Sequence, residues 1–133
     1  MEILEALGDR PGLARSYHQL GRVAQDRGAL DAAEGWYHKS LEILEALGDG
    51  PRLAMTYHQL GMVAQDRGAL DAAEDWYRKS LEIEEALDNR PGMAISYRTL
   101  GRLAQARGDA EAAEAWLRKE AAIRKPPPSP PAE

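Results

Sequence analysis

The sequence has no cysteine and no phenylalanine, and its aromatics are limited to three tryptophans and five tyrosines. Without cysteine there is no disulfide framework and no thiol to serve as nucleophile or metal ligand. Long apolar stretches are missing too: no run approaches the roughly 18–20 residues that span a bilayer. The opening MEILEALGD has neither the basic start nor the apolar middle of a secretion signal. Basic charge is in deficit, with a net charge of −5 and a pI near 5.3. That balance speaks against a nucleic-acid or anionic-membrane partner, which would reward a basic face. These absences together fit a cytoplasmic protein.

Catalytic constellations are absent as well. The histidines are His18, His38 and His58. His18 and His58 are forty residues apart in copies of one text, so their spacing reflects repetition rather than a ligand set, and no metal site is expected. No glycine-rich phosphate loop occurs. Ser16, Ser40, Ser80 and Ser96 lack the elbow context of a nucleophile, and no carboxylate pair stands out as acid and base. Neither an enzyme nor a cofactor is expected.

What is present is a text written three times. Residues 2–41, 42–81 and 82–121 align without a gap at a period of forty, and the first two copies differ at only seven places. A period of this size points to a solenoid, in which each unit buries its faces against its neighbours. With 44% hydrophobic and 29% charged residues, helix formers dominating and β-branched residues scarce, the chain is expected to be ordered and helical.

Punctuation divides each copy into two helices. Pro11, Pro51 and Pro91 suit a first helical turn, where a missing N–H costs nothing. Apolar residues then recur at helical spacing, as in Leu13, Tyr17, Leu20 and Ala24. Gly28, Gly68 and Gly108 stand where a left-handed residue ends the helix. A second helix is expected from about Ala29 to Leu47, with Leu30, Ala33, Tyr37, Leu41 and Leu44 inward and Gly48 as its stop. In the third copy Asp88 replaces that stop and is followed by Asn89, which also tolerates positive φ. Gly21, Gly61 and Gly101 fall in mid-helix, where glycine costs about 1 kcal/mol relative to alanine. Keeping it three times predicts close approach of a partner helix. Trp36, Trp76 and Trp116 share one position and are assigned to packing between repeats. Glu34 and His38, like Glu74 and Arg78, are spaced as surface i, i+4 pairs.

The run A-x-S-Y-x-x-L-G-x-V/L-A, a glycine four residues on, and A-A-E-x-W-Y/L-x-K resembles a tetratricopeptide repeat. Tyr17, Leu20, Gly21, Ala24, Gly28, Ala33, Tyr37 and Ser40 fall on that family's signature positions, with Ser40 where alanine is usual. The forty-residue period is longer than the family's common one, and S-L-E-I-x-E-A-L-G-D-x-P is similar to repeats of kinesin light chains and bacterial signalling NTPases. The resemblance implies an all-α, right-handed α-solenoid of three tandem helix-turn-helix repeats over residues 9–125. Residues 1–8 read as the tail of a preceding repeat's helix, since MEILEAL restates ILEAL at 43–47. A piece of a longer array is the expectation. At the other end Ala121 and Arg124 replace Leu41 and Leu44, as a solvated last helix requires. Residues 126–133 are expected to form a proline-rich disordered tail.

The resemblance also implies that the first helices line a concave groove receiving a peptide or helix. That assigns Arg15, His18, Gln19 and Arg22 from copy one, Met55, His58, Gln59 and Met62 from copy two, and Ile95, Arg98, Thr99 and Arg102 from copy three. Met55 and Met62 replace Arg15 and Arg22 in a segment otherwise copied almost letter for letter. Facing the groove, they and Ile95 would make an adaptable apolar patch flanked by arginines, suited to an acidic or amphipathic protein partner. Drift at a solvated position, or introduced methionines, is the other reading. The residues do not match the family's carboxylate clamp, so chaperone tails are not expected. The implied function is a protein–protein interaction scaffold, part of a larger signalling or sensor protein. The alternative is a self-associating module that stacks head to tail.

Overall fold

The computed structural model describes residues 8–126, and these described residues form six helices. They are α1 (Arg10–Asp26), α2 (Leu30–Leu47), α3 (Gly50–Asp66), α4 (Leu70–Ala86), α5 (Arg90–Ala106) and α6 (Ala110–Arg124). No strand occurs among the described residues. The helices pack as the pairs α1–α2, α3–α4 and α5–α6, and the α2–α3 and α4–α5 contacts join the pairs into an all-α solenoid. The expected helix tail over 1–8 and proline-rich tail over 126–133 lie outside the described residues, apart from Gly8 and Pro126 at their edges.

Local signals place the helix ends. Each first helix opens on a capping side chain and carries proline in its first turn. Asp9 Oδ1 accepts from the Gly12 N–H at 2.9 Å, and Asp49 and Asn89 accept likewise from Arg52 and Gly92 at 3.2 Å. Such caps are worth about 1 kcal/mol each. The aspartate two residues before each of the first two prolines was the signal for them. Asp88, not Asn89, takes the left-handed conformation after α4, with φ of 52°, while Asn89 serves as the cap of α5.

Gly21 and Gly61 do mark close approach, but by an aromatic ring and not by a backbone. A Cβ on Gly21 would lie 2.5 Å from Cε1 of Tyr37, and one on Gly61 would lie 2.4 Å from Cε1 of Tyr77. In the third copy Leu117 takes the place of the ring beside Gly101. Tyr37 and Tyr77 are sealed in the core, where their hydroxyls donate to Gln25 Oε1 at 2.6 Å and Gln65 Oε1 at 2.8 Å. The buried Ser40 and Ser80 hydroxyls each donate at 2.8 Å to a carbonyl of the facing first helix, those of Ala14 and Ala54.

The tryptophans pack both within their own repeats and, as expected, at the junctions between repeats, where Trp76 lies against the cluster of Tyr37, Leu41 and Leu60. Trp36 stacks on Tyr17 at 5.7 Å and Trp76 on Tyr57 at 5.7 Å, with Lys39 and Lys79 capping those pairs. Contact between repeats comes also from His38, which meets the edge of Trp76, and from Arg78, which lies over Trp116. The expected Glu74–Arg78 pair forms at 2.8 Å. Glu34 instead lies 3.4 Å from Arg67 of the next repeat, so His38 is an inter-repeat contact and not half of a surface pair.

The last helix departs from the sequence reading in an informative way. Glu120, at the position of Ser40 and Ser80, is buried and receives the Nε atoms of Arg98 and Arg124, both at 2.8 Å. Arg124 therefore replaces Leu44 in order to hold a buried carboxylate, and not merely to face water. Burial alone would lift the pKa of Glu120, but the hydrogen bonds from Arg124 and Arg98 outweigh it and hold the group below the ordinary carboxylate range.

Candidate interaction surface

The predicted groove residues lie on the first helices of the three repeats, α1, α3 and α5. Between α1 and α3 lies a cavity of about 270 Å³ floored by Ser40 and Leu44 of α2. Arg15 and Arg22 from α1 and Arg52 from α3 line it, with Met55 at its edge. Arg15, Arg22 and Arg102 form no ion pair among the described residues. Met55, Met62 and Ile95 are 56%, 38% and 53% exposed, among the most open large apolar side chains of the described residues. They sit on helices whose core side is supplied by Leu60, Ala64, Leu100 and Ala104, so their exposure follows from helical phase.

The other predicted residues divide. Gln19 is exposed and free to contact a ligand, and Gln59 is half-buried. Arg98 is committed to Glu120, and the Thr99 hydroxyl donates to the Ile95 carbonyl of its own helix at 2.8 Å. His18 and His58 are half-buried against the rings of Tyr37 and Tyr77, both at 5.3 Å. The Thr56 hydroxyl donates to the Arg52 carbonyl at 3.0 Å, which leaves its oxygen to accept from His18 Nδ1 at 3.3 Å. That arrangement puts the proton of neutral His18 on Nδ1 and leaves Nε2 as a buried acceptor without a partner among the described residues. A ligand donor, or a proton drawn in by a ligand carboxylate, would satisfy it.

One charged residue near this surface was not foreseen. Glu84 takes the place of Leu44 at the second junction, is buried, and accepts from Ser96 of α5. It fits because residue 92 is glycine where copy two has Arg52; a Cβ there would lie 2.4 Å from Glu84 Oε2. A glutamate in a leucine register opposite a glycine was the available signal.

Burial pushes the pKa of Glu84 up, against the hydrogen bond from Ser96 that pulls it down. Burial lowers that of His18, aided by Arg22 and Arg52, and burial alone lowers that of His58. The linkage signs are opposite. The histidines bind protons less readily when folded, so their contribution is present above pH 6.5 and is lost as pH falls through their folded values. Glu84 binds a proton more readily when folded, so its contribution is present below 4.5 and is lost as pH rises through its folded value. Glu84→Gln is therefore expected to raise the unfolding temperature at about pH 7.5 and to leave it unchanged near about pH 4. An equal shift at both pH values, read by thermal unfolding, would refute the assignment.

The tetratricopeptide repeat profile matches residues 52–125, and a second tetratricopeptide profile matches 13–50. The chain belongs to the tetratricopeptide repeat family. Solved structures agree with this in fold. BtubC (BKLC) from P. vanneervenii superposes with a TM-score of 0.78 at 24% identity, over 90% of this chain and 52% of that one. The TPR domain of Arabidopsis FLU gives 0.78 at 18% identity, over 85% and 95% of the two chains. A Podosopora anserina putative kinesin light chain with nearly identical TPR-like repeats gives 0.69 at 24%, over 83% and 54%. This tetratricopeptide repeat chain thus spans about half the length of the first and third of these. Among curated proteins no sequence matches. Repeats of this family generally act as non-enzymatic scaffolds for protein–protein interaction. No described helix is long and apolar enough to cross a membrane.

Proposed function

We propose that this chain recognises an acidic, amphipathic segment of a partner protein along the first helices α1, α3 and α5. The observation that carries the reading is the α1–α3 cavity, lined by three arginines and the exposed Met55, with Met62 exposed one heptad further along α3. Arginine forks match carboxylates bidentately. Methionine adapts to the shape of a ligand's apolar side chains. Neighbouring charges of opposite sign would then steer encounter despite the net charge of −5. Cytoplasmic work as the recognition end of a larger signalling or sensor protein belongs to the same reading and rests on family likeness.

Two variants test it against a panel of labelled peptides that pair an acidic face with an apolar one. Arg15→Ala/Arg22→Ala is expected to weaken binding by about 10-fold or more, since hydrogen bonds to charged groups are worth about 1.5–3 kcal/mol. The loss should shrink at high salt. Met55→Arg/Met62→Arg, which rewrites copy two as copy one, should keep the salt dependence and lose the preference for apolar partners. Undiminished binding by both variants would remove the proposal.

A further inference from the structure

The cavity between α1 and α3 differs in charge from its counterpart at the next junction. Arg15, Arg22 and Arg52 line it, and Leu44 lies at its floor. Forty residues on, the same four places carry Met55, Met62, Gly92 and Glu84. Three cations are gone there, and a buried carboxylate has arrived. Independent changes would not share a sign; these do. Although the chain has a net charge of −5, no aspartate or glutamate of the described residues lines the α1–α3 cavity.

The polar groups around this cavity are not all available to a ligand. The Ser40 hydroxyl donates to the Ala14 carbonyl at 2.8 Å, and that of Thr56 donates to the Arg52 carbonyl at 3.0 Å. Arg52 is shared with Asp49, whose Oδ2 lies 3.5 Å from its Nε. Arg15 and Arg22 form no ion pair among the described residues. Beside the Gln19 amide, what remains is guanidinium, which donates and cannot accept. The ligand that suits such a wall brings acceptors only, and more than one negative charge. A side-chain carboxylate has two oxygens and a single charge. A phosphorylated side chain has three strong acceptor oxygens and a charge of about −1.5 to −2 at pH 7.

Building on the reading of this surface as one for acidic segments, we propose that the α1–α3 cavity seats a phosphorylated side chain of the partner protein, held by Arg15, Arg22 and Arg52. Exposed Met55, which also lines the cavity, then meets an apolar residue beside the phosphorylated one. His18 lies in the same wall and responds to the occupant. Around it stand Arg15 and Arg22 of its own helix, Tyr37 of α2, and Arg52 and Thr56 of α3. Burial, with Arg22 and Arg52 adding to it, holds the pKa of His18 below its usual value. A dianion bound to those arginines cancels their contribution without touching the imidazole, so occupancy raises that pKa. His58, at the equivalent place of the next junction, is lowered by burial alone and is the internal control.

The imidazole NMR signals of His18, His38 and His58 read the site. The probes are blocked phosphoserine (N-acetyl, N-methylamide), glutamate blocked in the same way, and inorganic phosphate. Each is added at equal ionic strength and about pH 7.5, above the second phosphate pKa of about 6. Blocked phosphoserine should shift His18 alone, saturably, and raise its pKa. It should bind about 10-fold tighter than blocked glutamate, the worth of one further hydrogen bond to a charged group. Arg15→Met/Arg22→Met, which writes the letters of copy two into copy one at two exposed positions, should lose the response while circular dichroism shows the fold kept. Equal binding of the two blocked amino acids overturns the phosphate assignment and leaves the acidic-segment reading standing. Tighter binding of inorganic phosphate than of blocked phosphoserine overturns the side-chain assignment in favour of the free ion. A His18 signal that moves no more than that of His58, or a response that survives in the double variant, overturns the proposal outright. The labelled-peptide panel then decides the broader reading by itself.

Discussion

Tyr77→Ala is expected to destabilise the protein by about 3–5 kcal/mol, the range for removing a large aromatic side chain from a core. Tyr77 is 1% exposed, and it lies in a cluster that joins Leu81 of its own helix to Tyr97, Leu100 and Leu103 of the next repeat. Removing it opens a void at the α3–α4 contact and loosens the junction with α5 together. A solenoid is held by nearest-neighbour contacts, so the central repeat couples both flanking ones. Domains of this kind are stable by only about 5–15 kcal/mol, and the loss would consume a large part of that. Tyr77→Phe keeps the ring and loses only the hydrogen bond to Gln65, which costs about 0.5–1.5 kcal/mol. Urea unfolding followed by circular dichroism separates the two. If the alanine variant lost no more than the phenylalanine variant, the ring would not be filling the core as described.

The same contact seen from the other side gives the second large effect. Gly61→Ala is expected to destabilise, although alanine is favoured over glycine in a helix by about 0.8–1.0 kcal/mol. The new Cβ would lie 2.4 Å from the Tyr77 ring, and that ring has no room to withdraw because it is enclosed and its hydroxyl is held. Overpacking of this kind costs about 1–3 kcal/mol or more, so the clash wins. Gly35→Ala is the internal control: nothing lies within 4 Å of its added Cβ, and a gain of up to about 1 kcal/mol is expected there. Gly101→Ala should fall between them, because the half-exposed Leu117 beside it can shift. Equal stability changes at Gly61 and Gly35 would show that helix propensity alone governs these positions.

These two sites also show how far local pattern carries. Three mid-helix glycines at a fixed period announce close approach, yet they do not say what approaches. The answer, a tyrosine sixteen residues later, depends on how two helices cross. The candidate surface was legible to a similar depth. Met55 and Met62 lie in helical phase with Arg15 and Arg22, and phase alone puts them off the core side. That Arg98 is taken up by Glu120, and that His18 and His58 lean on tyrosines, depends on side chains more than ten residues away. The buried Glu84 was missed for the same reason, since its acceptance rests on the glycine at 92 and the hydroxyl of Ser96.

The amino-acid sequence by itself determined the period, the six helices, their ends and the pairing of consecutive helices. Caps, prolines, left-handed glycines and apolar phase act within about one helical turn, so each copy carries its own instructions. Only the tertiary structure decided which charges are buried, which arginines are free, and that Val23 is open where Val63 is closed. Identical letters at 63 and 23 differ in burial because a neighbouring helix covers one of them. Burial belongs to the neighbour as much as to the residue, and no local pattern contains it.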